Sequence, residues 1–81
     1  MYTVYSKPNC PQCVATKTML MQMGHQYKEI ILDIGQPKQE GVEYISRIDL
    51  LALAPDARTM PQVFKDGKRI GGYTDIVAYL K

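Results

Sequence analysis

The chain has 81 residues, 46% of them hydrophobic and 22% charged, with a formal net charge of +2 at pH 7. That length allows one small domain, residues 1–81, with no room for a second core. The charge is too weak, and the lysines and arginines too scattered, to argue for nucleic acid or a membrane surface as a partner. No apolar run approaches the roughly 18 residues of a spanning helix. No basic-then-apolar segment opens the chain, so two cysteines here lead to the expectation of a reducing, cytoplasmic setting. The expected state is a monomer.

Tyr2-Thr3-Val4-Tyr5-Ser6 reads as a buried strand. It leads into Lys7-Pro8-Asn9-Cys10-Pro11-Gln12-Cys13, and an amphipathic run leads out. Strand, loop, Cys-x-x-Cys and helix is the layout of a thiol–disulfide redox site. With Cys10 at the helix mouth, Cys13 lies one turn on, with the Cβ atoms roughly 5–6 Å apart. A small adjustment brings that spacing into disulfide range. Cys10 then meets unpaired N–H groups and the positive end of the helix dipole. Both favour the thiolate, which is the nucleophile, and Lys7 adds positive charge on the same side. Cys13, inside the helix, suits a buried resolving thiol, and Pro11 is tolerated in the first turn.

Three plainer readings compete. A structural bridge closing so short a loop constrains the unfolded chain little. Structural zinc wants four ligands, whereas the chain has two cysteines and one histidine, His25, about 20 Å along a helix from Cys10. Two unrelated core cysteines would not explain the helix-entry context.

The first helix runs from about Pro11 to Met23 and stops at Gly24. Cys13, Thr16, Leu20 and Met23 share one face, and the methionines read as core filler. Tyr27–Asp33 is a second strand that ends continuously apolar, completing a right-handed βαβ unit. A turn at Ile34–Lys38 is followed by an expected second helix over Gln39–Leu53, ended by Pro55. Thr59-Met60-Pro61 then introduces a hairpin, Gln62–Lys65 and Lys68–Ile70, turning at Asp66-Gly67. After Gly71-Gly72 a last helix is expected from Thr74 to Leu80, with Thr74 as its cap and Asp75 in its first turn. The predicted fold is α/β: βαβ then ββα, a four-stranded mixed sheet flanked by three helices.

Over essentially its whole length the chain resembles a small dithiol glutaredoxin of the thioredoxin fold. Four signatures stand in that family's order: Lys7-Pro8-Asn9-Cys10-Pro11-Gln12-Cys13, Thr59-Met60-Pro61, Gly71-Gly72 and Thr74-Asp75. The resemblance implies a glutathione–disulfide oxidoreductase with catalytic Cys10 and Cys13, glutathione as co-substrate and no tightly bound cofactor. Pro61 matches the family's cis-proline, which leaves the backbone of Met60 free to pair with a bound peptide's cysteine. Without the Cys-x-x-Cys it would read rather as the start of an edge strand. The resemblance counts Thr59 and Gly72 among the glutathione contacts, Gly71-Gly72 matching the family's bend before the last helix. Thr74 and Asp75 fall where glutaredoxins hold the γ-glutamyl end of glutathione, though both also read simply as caps. Lys7 falls where the glycyl carboxylate binds, with Gln12 beside it, and Arg58 lies near a basic residue of that loop. Gln12 stands where a tyrosine is common, and Met60 where a valine is.

The first half is also similar to the glutaredoxin-like redoxins that reduce ribonucleotide reductase and are recharged by thioredoxin reductase. The resemblance therefore implies disulfide-containing proteins as partners, ribonucleotide reductase among them, with thioredoxin reductase as the alternative electron source. An iron–sulfur carrier bridged through Cys10 of two chains is a lower-ranked alternative.

Overall fold

A computed structural model describes residues 1–81. Strands β1 (Tyr2–Ser6), β2 (Tyr27–Leu32), β3 (Glu43–Ile45), β4 (Gln62–Lys65) and β5 (Lys68–Gly71) form one sheet in the order β3-β2-β1-β4-β5. Helices α1 (Pro11–Gln22), α2 (Arg47–Leu53) and α3 (Tyr73–Leu80) complete the chain. β1, β2 and β3 run parallel; β4 is antiparallel to β1, and β5 to β4.

Alternation along the strands splits the apolar residues between two faces, as a period of two requires. Tyr2, Val4 and Val63 pack with Leu20 of α1 and Ile76 of α3. Tyr5, Ile30 and Leu32 pack on the other face with Leu50 of α2. The helices thus cover both sides of the sheet. The hairpin turns where expected, with Asp66 and Gly67 both at positive φ, 49° and 83°, the pair of values that a tight two-residue turn demands.

The sheet has five strands rather than the four expected, because the single helix predicted over Gln39–Leu53 is instead a turn, a strand and a shorter helix. Gly41 sits at φ 78°, outside the helical region. Glu43–Ile45 then pairs in parallel with Ile30–Leu32. Ser46 starts α2 by accepting a hydrogen bond from the Asp49 N–H at 3.1 Å. Within α2, Ile48 is 80% exposed and only Leu50 is buried. Two smaller corrections fall at helix ends. Met23 is the C-cap of α1 and lies exposed rather than on the buried face. Helix α3 begins at Tyr73 with Gly72 as N-cap, so Thr74 is inside the first turn and is not the cap.

Candidate active site

β1 delivers the chain to the sheet's end, where Asn9 at φ 55° turns it back into α1; asparagine is among the few residues that tolerate that conformation. Cys10 is the N-cap of α1 and Pro11 occupies the first turn. The Cys10 sulfur accepts a hydrogen bond from the Cys13 N–H at 3.1 Å. A sulfur thus holds the place usually taken by a capping oxygen, at the positive end of the helix dipole. No acidic residue lies in the first turn to oppose an anion there. Cys10 and Cys13 are joined as a disulfide with Cα atoms 5.2 Å apart. Both are buried, Cys13 at 1% exposure more completely than Cys10 at 7%.

The Met60–Pro61 peptide bond is cis. The loop carrying it faces the cysteines, with the Met60 carbonyl oxygen 3.7 Å from the Cys10 sulfur. A hydrogen-bonded chain behind holds this loop. Arg69 donates through Nε and Nη2 to the Gln62 Oε1, at 3.2 and 3.0 Å. Gln62 in turn donates through Nε2 to the Thr59 carbonyl at 2.9 Å. Arg69 also pairs with Asp56. That hydrogen bond and the guanidinium's charge hold the Asp56 carboxyl below its ordinary range.

Five of the residues singled out in the sequence, Gln12, Thr59, Gly72, Thr74 and Asp75, line one cavity together with Arg58. A second cleft, lined by Lys7, Arg47, Arg58, Thr59 and Met60 among others, holds three cationic side chains and no acidic one. Arg58 and Thr59 border both hollows. Gly71 and Gly72 serve different ends. Gly71 has φ 130°, and a Cβ there would lie 2.7 Å from the Asp75 Cγ, so the backbone itself requires glycine. A Cβ at Gly72 would meet Thr59 Oγ1 at 3.6 Å, an ordinary contact, but would project between the two walls of the cavity. Asp75 accepts a hydrogen bond from the Gly72 N–H at 3.1 Å and so caps its own helix. His25 is remote from the sulfurs, edge-on to Tyr2 with ring centroids 5.2 Å apart.

Sequence reasoning missed the Arg69–Gln62–Thr59 chain and Arg47. It also missed a cluster on the opposite side of the disulfide, where Glu29 of β2 accepts hydrogen bonds from Ser6 at 2.6 Å and Lys17 at 2.7 Å. A signal for it existed. Tyr27 packs on the α1 side of the sheet, and period two places Glu29 on the same side, where a carboxylate needs a partner.

A mixed sheet with a Cys-x-x-Cys at the mouth of its first helix, faced by a cis-proline loop, defines a thioredoxin-fold dithiol–disulfide redox protein. A family model for glutaredoxin matches residues 2–70, and the chain belongs to the glutaredoxin family. It is 43% identical over 75 residues to glutaredoxin-C6 of Oryza sativa subsp. japonica, covering 93% of this chain and 62% of that protein. It is 30% identical over 79 residues to glutaredoxin 1 of Escherichia coli K12, covering 96% and 89%. The chain thus spans less than two thirds of the rice relative's length. Among solved structures it is similar to the buckwheat glutaredoxin–glutathione complex, with a TM-score of 0.74, 30% identity and coverage of 98% of this chain and 66% of that one.

Proposed function

We propose that this chain is a glutathione-dependent thiol–disulfide oxidoreductase in which Cys10 captures the substrate sulfur and Cys13 resolves it. The observation that carries the reading is the position of the Cys10 sulfur. It caps a helix and faces the carbonyl of Met60, whose neighbour Thr59 borders both hollows that gather the sequence-predicted residues.

The Cys10 thiolate attacks a protein disulfide or a protein–glutathione mixed disulfide and displaces one sulfur as a thiolate. For a protein disulfide, Cys13 then attacks Cys10, releasing the second substrate sulfur and leaving Cys10–Cys13 oxidised. Two glutathione molecules return the pair to the dithiol and leave as glutathione disulfide. The Met60 backbone supports an extended thiol peptide by strand-like pairing. The cavity at the start of α3 offers backbone N–H groups to the γ-glutamyl carboxylate and the Asp75 carboxylate to its ammonium. The cationic cleft of Lys7, Arg47 and Arg58 suits the glycyl carboxylate at the other end of the tripeptide. Ribonucleotide reductase is the protein disulfide proposed as client.

Two measurements test this. Cys13→Ser is expected to retain turnover of a glutathione mixed disulfide while abolishing reduction of a protein disulfide; retention of both would remove Cys13 from the mechanism. A coupled assay comparing glutathione plus glutathione reductase with thioredoxin reductase is expected to run on glutathione. Electron flow from thioredoxin reductase alone would overturn the glutathione assignment.

A further inference from the structure

A third hollow, a groove lined by both cysteines, lies on the β2 side of the disulfide, away from the cavity at the start of α3. Its walls include Cys10, Cys13, Ser6, Lys17 and Glu29. At its floor the Glu29 carboxylate is held by Lys17 of α1 and Ser6 of β1, the only ion pair in the chain with both side chains less than a third exposed. Both donors bond to Oε2, which leaves Oε1 free to accept a further hydrogen bond. Lys17 follows Cys13 by one helical turn, on the same side of α1.

The resolving step has a proton to dispose of. Cys13 is almost fully buried, and burial without a charge partner favours the neutral thiol. Its S–H must lose that proton as the sulfur attacks Cys10, and Cys13 does not line the α3 cavity. We propose that Glu29, positioned by Lys17 and Ser6, is the proton acceptor for Cys13 in the resolving step, through water in this groove. The inference rests on the reading of Cys13 as resolver.

The Cys13 proton passes to Glu29 Oε1, and the Cys13 sulfur forms its bond to Cys10. The bond between Cys10 and the substrate sulfur breaks, and that sulfur leaves with the electron pair as a thiolate. The two cysteines are oxidised by two electrons and the substrate is reduced by two. The negative charge leaves with the substrate thiolate, so no sulfur anion remains in the groove once Cys13 is joined to Cys10. Glu29 then passes the proton to water, and when glutathione later attacks Cys10, Cys13 departs as a thiolate and takes up a proton from water in the groove. The titratable groups around Glu29 are Lys17 and Cys13 from α1, Cys10 and Lys7 from the loop after β1, and Tyr44 of β3. Burial pushes the Glu29 carboxyl up, but hydrogen bonds from Lys17 and Ser6 outweigh it and hold it below the ordinary range. The acceptor is therefore ionised at neutral pH.

The test separates capture from resolution. An aromatic disulfide such as dithionitrobenzoate releases one coloured thiolate when Cys10 attacks and a second when Cys13 resolves, and stopped flow distinguishes the two. Glu29→Gln is expected to slow the second release about 100-fold, within the range for loss of a general base, and to make it rise about tenfold per pH unit from about pH 6 to about pH 8 as hydroxide takes over. Glu29→Asp is expected to recover part of the rate and the flatter profile. A second release with unchanged rate and pH profile would overturn the proposal. Loss of both releases together would also overturn it, by showing that Glu29 merely supports the loop. A second release persisting in Cys13→Ser would instead overturn the parent reading.

Discussion

The Cys10 sulfur and the Met60 carbonyl oxygen lie 3.7 Å apart, although fifty positions separate them in the chain. The register of the central strands produces this meeting. Tyr5 of β1 sits opposite Gln62 of β4, so the segment leaving β1 and the segment entering β4 emerge at the same end of the sheet. The contact uses the Met60 backbone, so Met60→Leu is expected to keep turnover within about twofold and to cost less than about 1.5 kcal/mol, as volume-conserving apolar exchanges do. Steady-state kinetics and urea unfolding check both halves.

Gln62 is 3% exposed and joins Arg69 to the Thr59 carbonyl. Gln62→Ala takes the donor from the Thr59 carbonyl in a part-buried bond and removes two hydrogen bonds from Arg69. A loss of about 1–3 kcal/mol in denaturant unfolding is expected. The KM for a glutathione mixed disulfide should rise more than kcat falls, because the loop beside Cys10 loses its backing. Arg69→Lys should resemble Gln62→Ala rather than wild type, since an ammonium cannot reproduce the paired Nε and Nη2 contacts.

The two neighbouring glycines are expected to fail differently. Gly71→Ala forces a side chain into a positive-φ position against Asp75, and a loss of about 1–3 kcal/mol follows. Gly72→Ala meets only ordinary contacts, so its melting temperature should stay close to wild type. Its glutathione-dependent turnover should drop, because the methyl group enters the cavity. Equal stability losses in the two variants would contradict this division.

Acid sensitivity should trace partly to Glu29. Its carboxyl is held below the ordinary value of 4.5 in the folded chain. The stabilisation is therefore complete above that ordinary value and disappears as pH falls through the lowered one. Glu29→Gln is expected to flatten this part of the acid limb in urea unfolding measured from neutral pH downwards. An unchanged limb would show that the carboxyl is not perturbed.

Ser46 offers a control far from the sulfurs. Ser46→Ala removes the cap of α2 and should cost about 1 kcal/mol, with turnover unchanged.

Much of this molecule was legible because its strongest local signals agree with its tertiary structure. Asp66-Gly67 marks a turn in any context, and Cys-x-x-Cys after a strand places two sulfurs one helical turn apart. The sequence misled where two periodicities overlap. From Val42 to Leu53 apolar residues fall at helical spacing, yet Gly41 bars an early helix start and Tyr44 and Ile45 find partners on β2. Parallel pairing with a distant strand leaves no local trace, so β3 was not visible. Thr74 looked like a cap because threonine commonly is one; the glycine ahead of it took the role, with Asp75 supplying the bond. Glu29 lay hidden in an otherwise strand-like run, since its meaning depends on Lys17, which only the fold brings near.

The unequal burial of the two sulfurs has a kinetic consequence. If the more accessible one is the single doorway, the oxidant and the reductant must use it by turns and never together. Ping-pong behaviour follows, and a large excess of either visitor keeps the other waiting outside.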